Sequence, residues 1–364
     1  MFKKRYDSSK AQEKHARRKK LPVKVGVLSG GGDAPGINAV IRAVVRKGIR
    51  NYGYEMIGIQ DGWRGLVEGS FIPLTLETIS GLLPRGGSIL GTSRTNPFKR
   101  EGGSKKVLDN VKKNGIDAVV VIGGDDTLGV AHKMVELGLP CVGVPKTIDN
   151  DLGLTDYTFG FQTAVQIACE AIDRLHTTAE AHHRVMILEV MGRYTGWIAL
   201  EAGIAGGADV ILIPEKPFDL EEVCQFIEQR VGRGKAFSLV VIAEGAKPKG
   251  SEKIVYGTGS DEFGHPRLGG VGYYIGKEIE RCTGIETRVV VLGHLQRGGS
   301  PIAFDRVLAT RYGIAAIDSV HKGRFGKMVA LKGNKIVSVP LKDVIGKRKT
   351  VDLELYEIAK VFSG

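Results

Sequence analysis

The chain has 364 residues, 42% of them hydrophobic and 25% charged, which is enough apolar content for a sizeable core and enough length for two lobes. No apolar run approaches the roughly 18 to 20 residues of a membrane span, and the N-terminus lacks the apolar core of a secretory signal. Most of the net charge of +12 is a tail: residues 1–20 carry nine lysines and arginines against two acids, leaving +5 for the other 344 residues. A tail of this kind could touch nucleic acid or an anionic surface. It reads first as a solvated extension, so neither nucleic acid nor a membrane is an expected partner. Four cysteines, Cys141, Cys169, Cys224 and Cys282, lie far apart with no CxxC pair, which favours a reducing, cytoplasmic setting.

In chain order, an apolar strand over 23–28 runs into Gly30-Gly31-Gly32-Asp33. Ile37, Val40, Ile41, Val44, Val45 and Ile49 then recur at helical spacing and stop near Gly53. The same strand, glycine turn and helix return at 118–122, Gly123-Gly124-Asp125-Asp126 and 127–137, with a further short strand over 141–144. The second half alternates helices over 162–178, 220–231 and 270–281 with strands over 185–190, 210–213, 239–243 and 289–292. Asp219 and Glu222 fit a capping box, and Phe218 with Val223 fits the accompanying hydrophobic staple. Alternation of this kind, with runs of Val and Ile, predicts an α/β protein of two Rossmann-like lobes with mainly parallel sheets flanked by helices. Ligands in such sheets bind beyond the carboxyl ends of the strands, where the glycine clusters sit. A boundary is expected near residues 155–165, with no Pro/Ser-rich linker to mark it.

Residues able to do chemistry cluster at those strand ends. In the loop from Gly30 to Gly36 the missing Cβ atoms let backbone N–H groups approach an anion; a tight turn with no ligand fits equally well. The loop lacks the Lys-Ser/Thr ending of a P-loop, and no G-x-G-x-x-G follows a strand, which counts against a dinucleotide enzyme. Asp125 and Asp126 at a helix start could cap it or share a cation such as Mg²⁺ with substrate phosphates. Thr147-Ile148-Asp149-Asn150-Asp151 places two carboxylates within reach of one another, as a general base and its neighbour or as an Asx-rich turn. Arg184, Met191-Gly192-Arg193, Arg288 and the loop His294-Leu295-Gln296-Arg297-Gly298-Gly299 supply donors suited to a phosphomonoester, although each arginine alone could be a surface ion-pair partner. Glu244 ends a strand where it could bind sugar hydroxyls, and His182-His183 lacks metal spacing and reads as structural.

From residue 23 to about 320 the chain resembles the bacterial-type 6-phosphofructokinases, motif after motif and in order. The matching stretches are GGDAPGIN (31–38), GTSR (91–94), GGD (123–125), TIDND (147–151), MGR (191–193), ETR (286–288) and HLQRGGSP (294–301). The resemblance implies Mg²⁺-dependent phosphoryl transfer to the 1-hydroxyl of fructose 6-phosphate. Asp149 would be the base on that hydroxyl, with Asp151 assisting, while Thr147 and Arg193 stabilise the transferring group and Asp125 holds the metal. Gly31 and Arg94 would contact the donor phosphates; Met191, Gly192, Glu244, His294 and Arg297 would bind the sugar phosphate. In this family Arg184 and Arg288 reach the neighbouring subunit's site, so a homodimer or homotetramer is implied. The expected division is a basic extension over 1–22, a donor-binding lobe over 23–158 joined by part of 296–346, and a sugar-phosphate lobe over 159–295 joined by part of 347–364. Arg42, Arg46, Arg233 and Lys235 resemble parts of the family's effector site, but His176 replaces an expected arginine.

Two positions point to the donor. Members using ATP usually carry glycine where this chain has Asp126, and often glycine in place of Lys146. An aspartate there would stand against the nucleotide's α-phosphate: two unit charges ~4 Å apart repel by about 4 kcal/mol at a surface-like dielectric, roughly a thousandfold in affinity. A compact ammonium at Lys146 suits the terminal charge of a short polyanion. Both residues resemble the pyrophosphate-using branch, as does Gln60 where ATP users carry an aromatic residue. The alternatives are an ATP-dependent 6-phosphofructokinase and a non-catalytic relative binding nucleic acid through the tail.

Overall fold

The computed structural model describes residues 24–251 and 270–362, so the basic extension over 1–22 falls outside the described residues. Strand β1 (Lys24–Ser29) leads through the glycine loop to α1 (Ile37–Tyr52), β2 (Glu55–Ile59), α2 (Trp63–Glu68) and β3 (Phe71–Leu74). After a long loop come α3 (Gly103–Lys113), β4 (Ala118–Gly123), α4 (Asp125–Glu136) and β5 (Cys141–Pro145). A second series comprises α5 (Phe161–His182), β6 (Val185–Val190), α6 (Trp197–Ala205), β7 (Val210–Leu212), α7 (Leu220–Gly232), β8 (Ser238–Ala243), α8 (Val271–Thr283) and β9 (Thr287–Val291). The chain continues with α9 (Ala303–His321), β10 (Lys327–Lys332), β11 (Lys335–Pro340), the single turn α10 (Leu341–Val344) and α11 (Leu353–Phe362).

The strands form a seven-stranded sheet ordered β11-β10-β5-β4-β1-β2-β3 and a four-stranded sheet ordered β7-β8-β6-β9. Only β2 with β3 and β10 with β11 pair antiparallel among the described strands. Along β4, Val120 and Ile122 face the core that holds Val40 and Val44, whereas Val119 and Val121 face the core that holds Leu128 and Met134. Every residue of β4 is buried, because helices cover both faces; this is why the strand reads as a continuous apolar run. β1 lies between β2 and β4, which leaves a crevice beyond Ser29 and Gly123. β6 lies between β8 and β9, so residues after Val190, Ala243 and Val291 gather at the corresponding end of the smaller sheet.

Asp219 caps α7 by accepting the Glu221 N–H at 3.0 Å, and Phe218 and Val223 share one core. The Glu222 carboxylate takes Lys249 Nζ at 3.0 Å, so the expected capping box is an N-cap with its glutamate turned to a lysine. Cys224 and Cys282 form a disulfide between α7 and α8, with Cα atoms 6.3 Å apart across a sequence separation of 58. The bond runs against the reducing setting expected from the cysteine spacing, which carried no sign of a pair brought together by helix packing. Among the described residues no helix is long and apolar enough to cross a membrane.

Candidate active site

The two glycine-loop ends and the carboxyl ends of β6, β8 and β9 open onto one cavity of about 450 Å³. Gly31, Arg94, Asp125, Asp126, Lys146, Thr147, Asp149, Asp151, Met191, Arg193, Glu244, His294 and Arg297 all line it, from motifs scattered over more than 260 residues of chain. Gly192 is not among the lining residues but lies between two of them, Met191 and Arg193, with φ +143, where a Cβ would meet the Thr195 carbonyl oxygen at 2.6 Å. Only glycine fits that turn, and its carbonyl accepts the Gly245 N–H at 3.1 Å, tying the end of β6 to that of β8.

Arg184 and Arg288 are elsewhere. They stand at the starts of β6 and β9, a strand length of ~15–20 Å from the cavity end of the sheet. Arg184 Nε donates to Glu286 Oε2 at 2.6 Å, and Arg288 bonds the other oxygen of the same carboxylate. Within one chain, then, these two are not substrate contacts. Gln60 is also outside the lining; its Oε1 accepts the Ser70 hydroxyl at 2.8 Å.

The glycine loop does not act as a simple amide cradle. The Gly30 N–H donates to Ile122 O at 3.0 Å and the Gly31 N–H to Ser93 O at 2.9 Å, so these two are spent within the protein. Cations instead hold the loop: Lys146 Nζ bonds the Gly32 carbonyl and Arg297 Nη1 donates to Asp33 O at 3.0 Å. Lys146 is 3% exposed. Burial, with the nearby Arg297 charge, pushes its ammonium down to about 7, against the pull of Asp33 and Asp149.

The TIDND stretch resolves into two roles. Asn150 is the structural member: it is buried with φ +51, and its Oδ1 accepts the Thr158 N–H at 3.1 Å. Its neighbours Asp149 and Asp151 both line the cavity. The Asp149 N–H donates to Thr147 Oγ1 at 3.1 Å, and its carbonyl accepts the Thr195 hydroxyl at 3.2 Å. Asp149 Oδ1 is buried with no hydrogen-bond partner among the described residues, which marks it as an acceptor waiting for a donor. Burial and then the Asp149 charge push Asp151 up to about 7, while Arg348 opposes the rise. Glu244 is likewise raised to about 7 by burial and Asp149, with Arg193 opposing. His183 caps the C-terminus of α5 in a left-handed conformation.

Sequence reasoning missed Tyr194 and the C-terminal trio Gly346, Lys347 and Arg348, which also line the cavity. The basic run Lys347-Arg348-Lys349 was visible, but nothing in its spacing ties it to a strand end.

Comparison with known proteins supplies the family. A model of the phosphofructokinase family matches residues 24–320. The chain belongs to the phosphofructokinase family. A pyrophosphate–fructose 6-phosphate 1-phosphotransferase from Streptomyces coelicolor is 58% identical over 343 residues, covering 94% of this chain and all of that phosphofructokinase relative. An ATP-dependent 6-phosphofructokinase 3 from the same organism is 50% identical over 329 residues, covering 90% of this chain and 96% of the relative. In structure, the chain is similar to Pichia pastoris phosphofructokinase in the T-state, with a TM-score of 0.80 at 33% identity over 95% of this chain and 39% of that one.

Proposed function

We infer that this chain catalyses reversible phosphoryl transfer from pyrophosphate to the 1-hydroxyl of fructose 6-phosphate, giving fructose 1,6-bisphosphate and phosphate. The observation that carries the choice of donor is that Asp126 and the buried Lys146, which holds the glycine loop at Gly32 O, line the same cavity. A nucleotide passing that wall would set its α-phosphate against a carboxylate; pyrophosphate ends before it. The higher identity to the pyrophosphate-named relative than to the ATP-named one supports the same choice.

In the proposed mechanism Asp149 takes the proton of the 1-hydroxyl as that oxygen attacks phosphorus. The bond from phosphorus to the bridging oxygen breaks, and the leaving phosphate keeps the electron pair opposite Lys146. Thr147 and Arg193 face the transferring group, where fixed donors and charge act most strongly. Asp151, held up near neutrality, orients and tunes Asp149. Met191, Glu244, His294 and Arg297 receive the sugar phosphate. Asp125 is the residue we assign to Mg²⁺. The fit is chemical: Asp125, Asp126 and Asp151 offer hard oxygen donors in one cavity, and the Asp125 charge is felt at Asp151. Among the described residues no group of three or more side chains forms a self-sufficient metal cage, which suits an ion held by one or two carboxylates plus substrate phosphates. When bound, Mg²⁺ would neutralise donor charge and orient its phosphates.

The lobes divide, in this reading, at 23–158 and 159–295, with the later segments shared as the sequence suggests. Arg184 and Arg288 face away from their own site, so we assign them to a neighbour's site in a homodimer or homotetramer. Phosphorylated sugars are held in the cytoplasm, and we place the chain there. The test is a donor comparison on purified protein with fructose 6-phosphate and Mg²⁺. Fructose 1,6-bisphosphate should form rapidly with pyrophosphate and barely with ATP; comparable efficiency with ATP would establish the ATP-dependent reading instead.

A further inference from the structure

The match to the phosphofructokinase family stops at residue 320, yet the cavity wall includes residues from beyond it. After α10 the chain runs as a strap alongside the segment that carries Asp151. The Gly153 N–H donates to Lys347 O at 3.0 Å, Leu152 and Arg348 form an antiparallel bridge, and the Lys349 N–H donates to Asp151 O at 2.8 Å. Trp197 Nε1 anchors the strap further by donating to Lys349 O at 3.0 Å. At its other end the Gly346 N–H donates to Asp125 Oδ1 at 3.1 Å. The strap is therefore fixed by its backbone to both acidic motifs of the site; the Lys349 side chain turns inward to Thr155 O and Asp156 O, and those of Lys347 and Arg348 line the cavity.

Arg348 lies with its guanidinium 3.9 Å from the centroid of the Tyr194 ring, and both residues line the cavity. A planar guanidinium stacked on an aromatic face is held in orientation while its N–H edge stays available. This end of the cavity otherwise presents the carboxylates of Asp125, Asp126 and Asp151, a poor surface for a polyanion. Arg94, Lys146 and Arg297, the last bonded to Asp33 O of the glycine loop, are the cations that the family-matched region sets beside that loop, and Arg193 faces the transferring group. Beside Asp125 and Asp151, where a polyanion meets carboxylates, the strap adds the positive side chains of Lys347 and Arg348 to the lining.

We propose that Arg348, delivered by the C-terminal strap and stacked on Tyr194, is a donor-specificity residue that binds the non-transferred phosphate of pyrophosphate. Lys347, on the same strap, adds a second charge at the cavity mouth. The assignment rests on the pyrophosphate reading of the cavity. It places part of the donor site in a segment that the family model does not cover.

The test is steady-state kinetics of wild type, Arg348→Met and Arg348→Lys, varying each substrate in turn, with a melting curve for each protein. Methionine keeps the apolar stem and removes the charge; the strap's backbone ladder does not need the side chain. Arg348→Met should raise KM for pyrophosphate by about 10–100-fold while KM for fructose 6-phosphate stays within about twofold, the scale of one lost charge-assisted phosphate contact. Arg348→Lys, keeping charge but losing the fork and the stacking, should fall between. A wild type active with pyrophosphate and an Arg348→Met enzyme with unchanged KM for it overturns the proposal alone. If Arg348→Met fails to fold, an unchanged KM in Arg348→Lys overturns it in the same way. A wild type active only with ATP overturns the donor reading, and KM for ATP in the same variants then decides whether Arg348 binds donor phosphate at all.

Discussion

Replacing Lys146 with methionine should make the protein more stable and nearly abolish its use of pyrophosphate. The lysine is 3% exposed and its ammonium is depressed to about 7 from an ordinary 10.5. At pH 7 the unfolded chain holds that proton fully while the folded chain holds it about half the time. At ~1.36 kcal/mol per pH unit the difference amounts to about 4 kcal/mol against the folded state. Methionine has similar length and no charge to desolvate; it loses the bond to the Gly32 carbonyl, a loss of about 1 kcal/mol. The variant should then gain about 1–3 kcal/mol at pH 7. The sign of the pH dependence is fixed by the same numbers. Between about pH 7 and the ordinary lysine value the unfolded state binds more protons, so wild-type stability rises with pH, and the advantage of Lys146→Met shrinks. Urea unfolding of both proteins from pH 6.5 to 9, beside KM for pyrophosphate, reads this directly. A variant no more stable than wild type, with a gap that does not change with pH, would refute the burial-driven shift. A variant with unchanged KM would remove Lys146 from the donor site.

Other outcomes follow from the same geometry. Pyrophosphate binding near pH 8 should draw a proton onto Lys146, so calorimetry of the wild type in two buffers of different ionisation heat should show proton uptake that grows from pH 7 to pH 8; equal heats in both buffers would contradict it. Asp149→Ala should lower kcat by about 10²–10⁴, or ~3–5 kcal/mol of barrier, and a rate near wild type would remove it from the base role. Co-expressing Arg288→Ala with Asp149→Ala should restore activity that neither has alone, because hybrid oligomers regain one intact site. Absence of recovery in a verified hybrid would mean that Arg288 does not serve a neighbour.

Much of the fold was legible because buried parallel strands are continuous apolar runs: the expected strand over 118–122 is β4 with one more residue, and that over 185–190 is β6. The antiparallel strands of the larger sheet were not. β3 and β11, the edges of the larger sheet, are partly exposed and mix Lys and Pro with apolar residues, so they carry neither a run nor clean alternation; β2 and β10 do carry short buried apolar runs, but pair antiparallel with those edges and are followed by no glycine cluster. At the site, residues adjoining strand ends were found because topology forces those ends together. Arg348 was missed because it arrives on a strap whose position depends on backbone pairing with Leu152, which leaves no periodic trace. The Cys224–Cys282 bond was invisible for the same reason, since helix packing, not spacing, brings the two together. Asp149 and Asp151 were both expected at the site, and both line the cavity, with Asn150 buried between them in a left-handed conformation.

Donor choice in this protein turns on a carboxylate that excludes nucleotide and a lysine that receives diphosphate. Measuring kcat/KM for pyrophosphate and for ATP on wild type and on Asp126→Gly addresses it without intermediaries. Wild type should favour pyrophosphate strongly, and removing the charge should improve ATP by about 10–1,000-fold, the upper figure being the unscreened repulsion at ~4 Å. An Asp126→Gly enzyme whose ATP efficiency does not move, or a wild type that already prefers ATP, would contradict it.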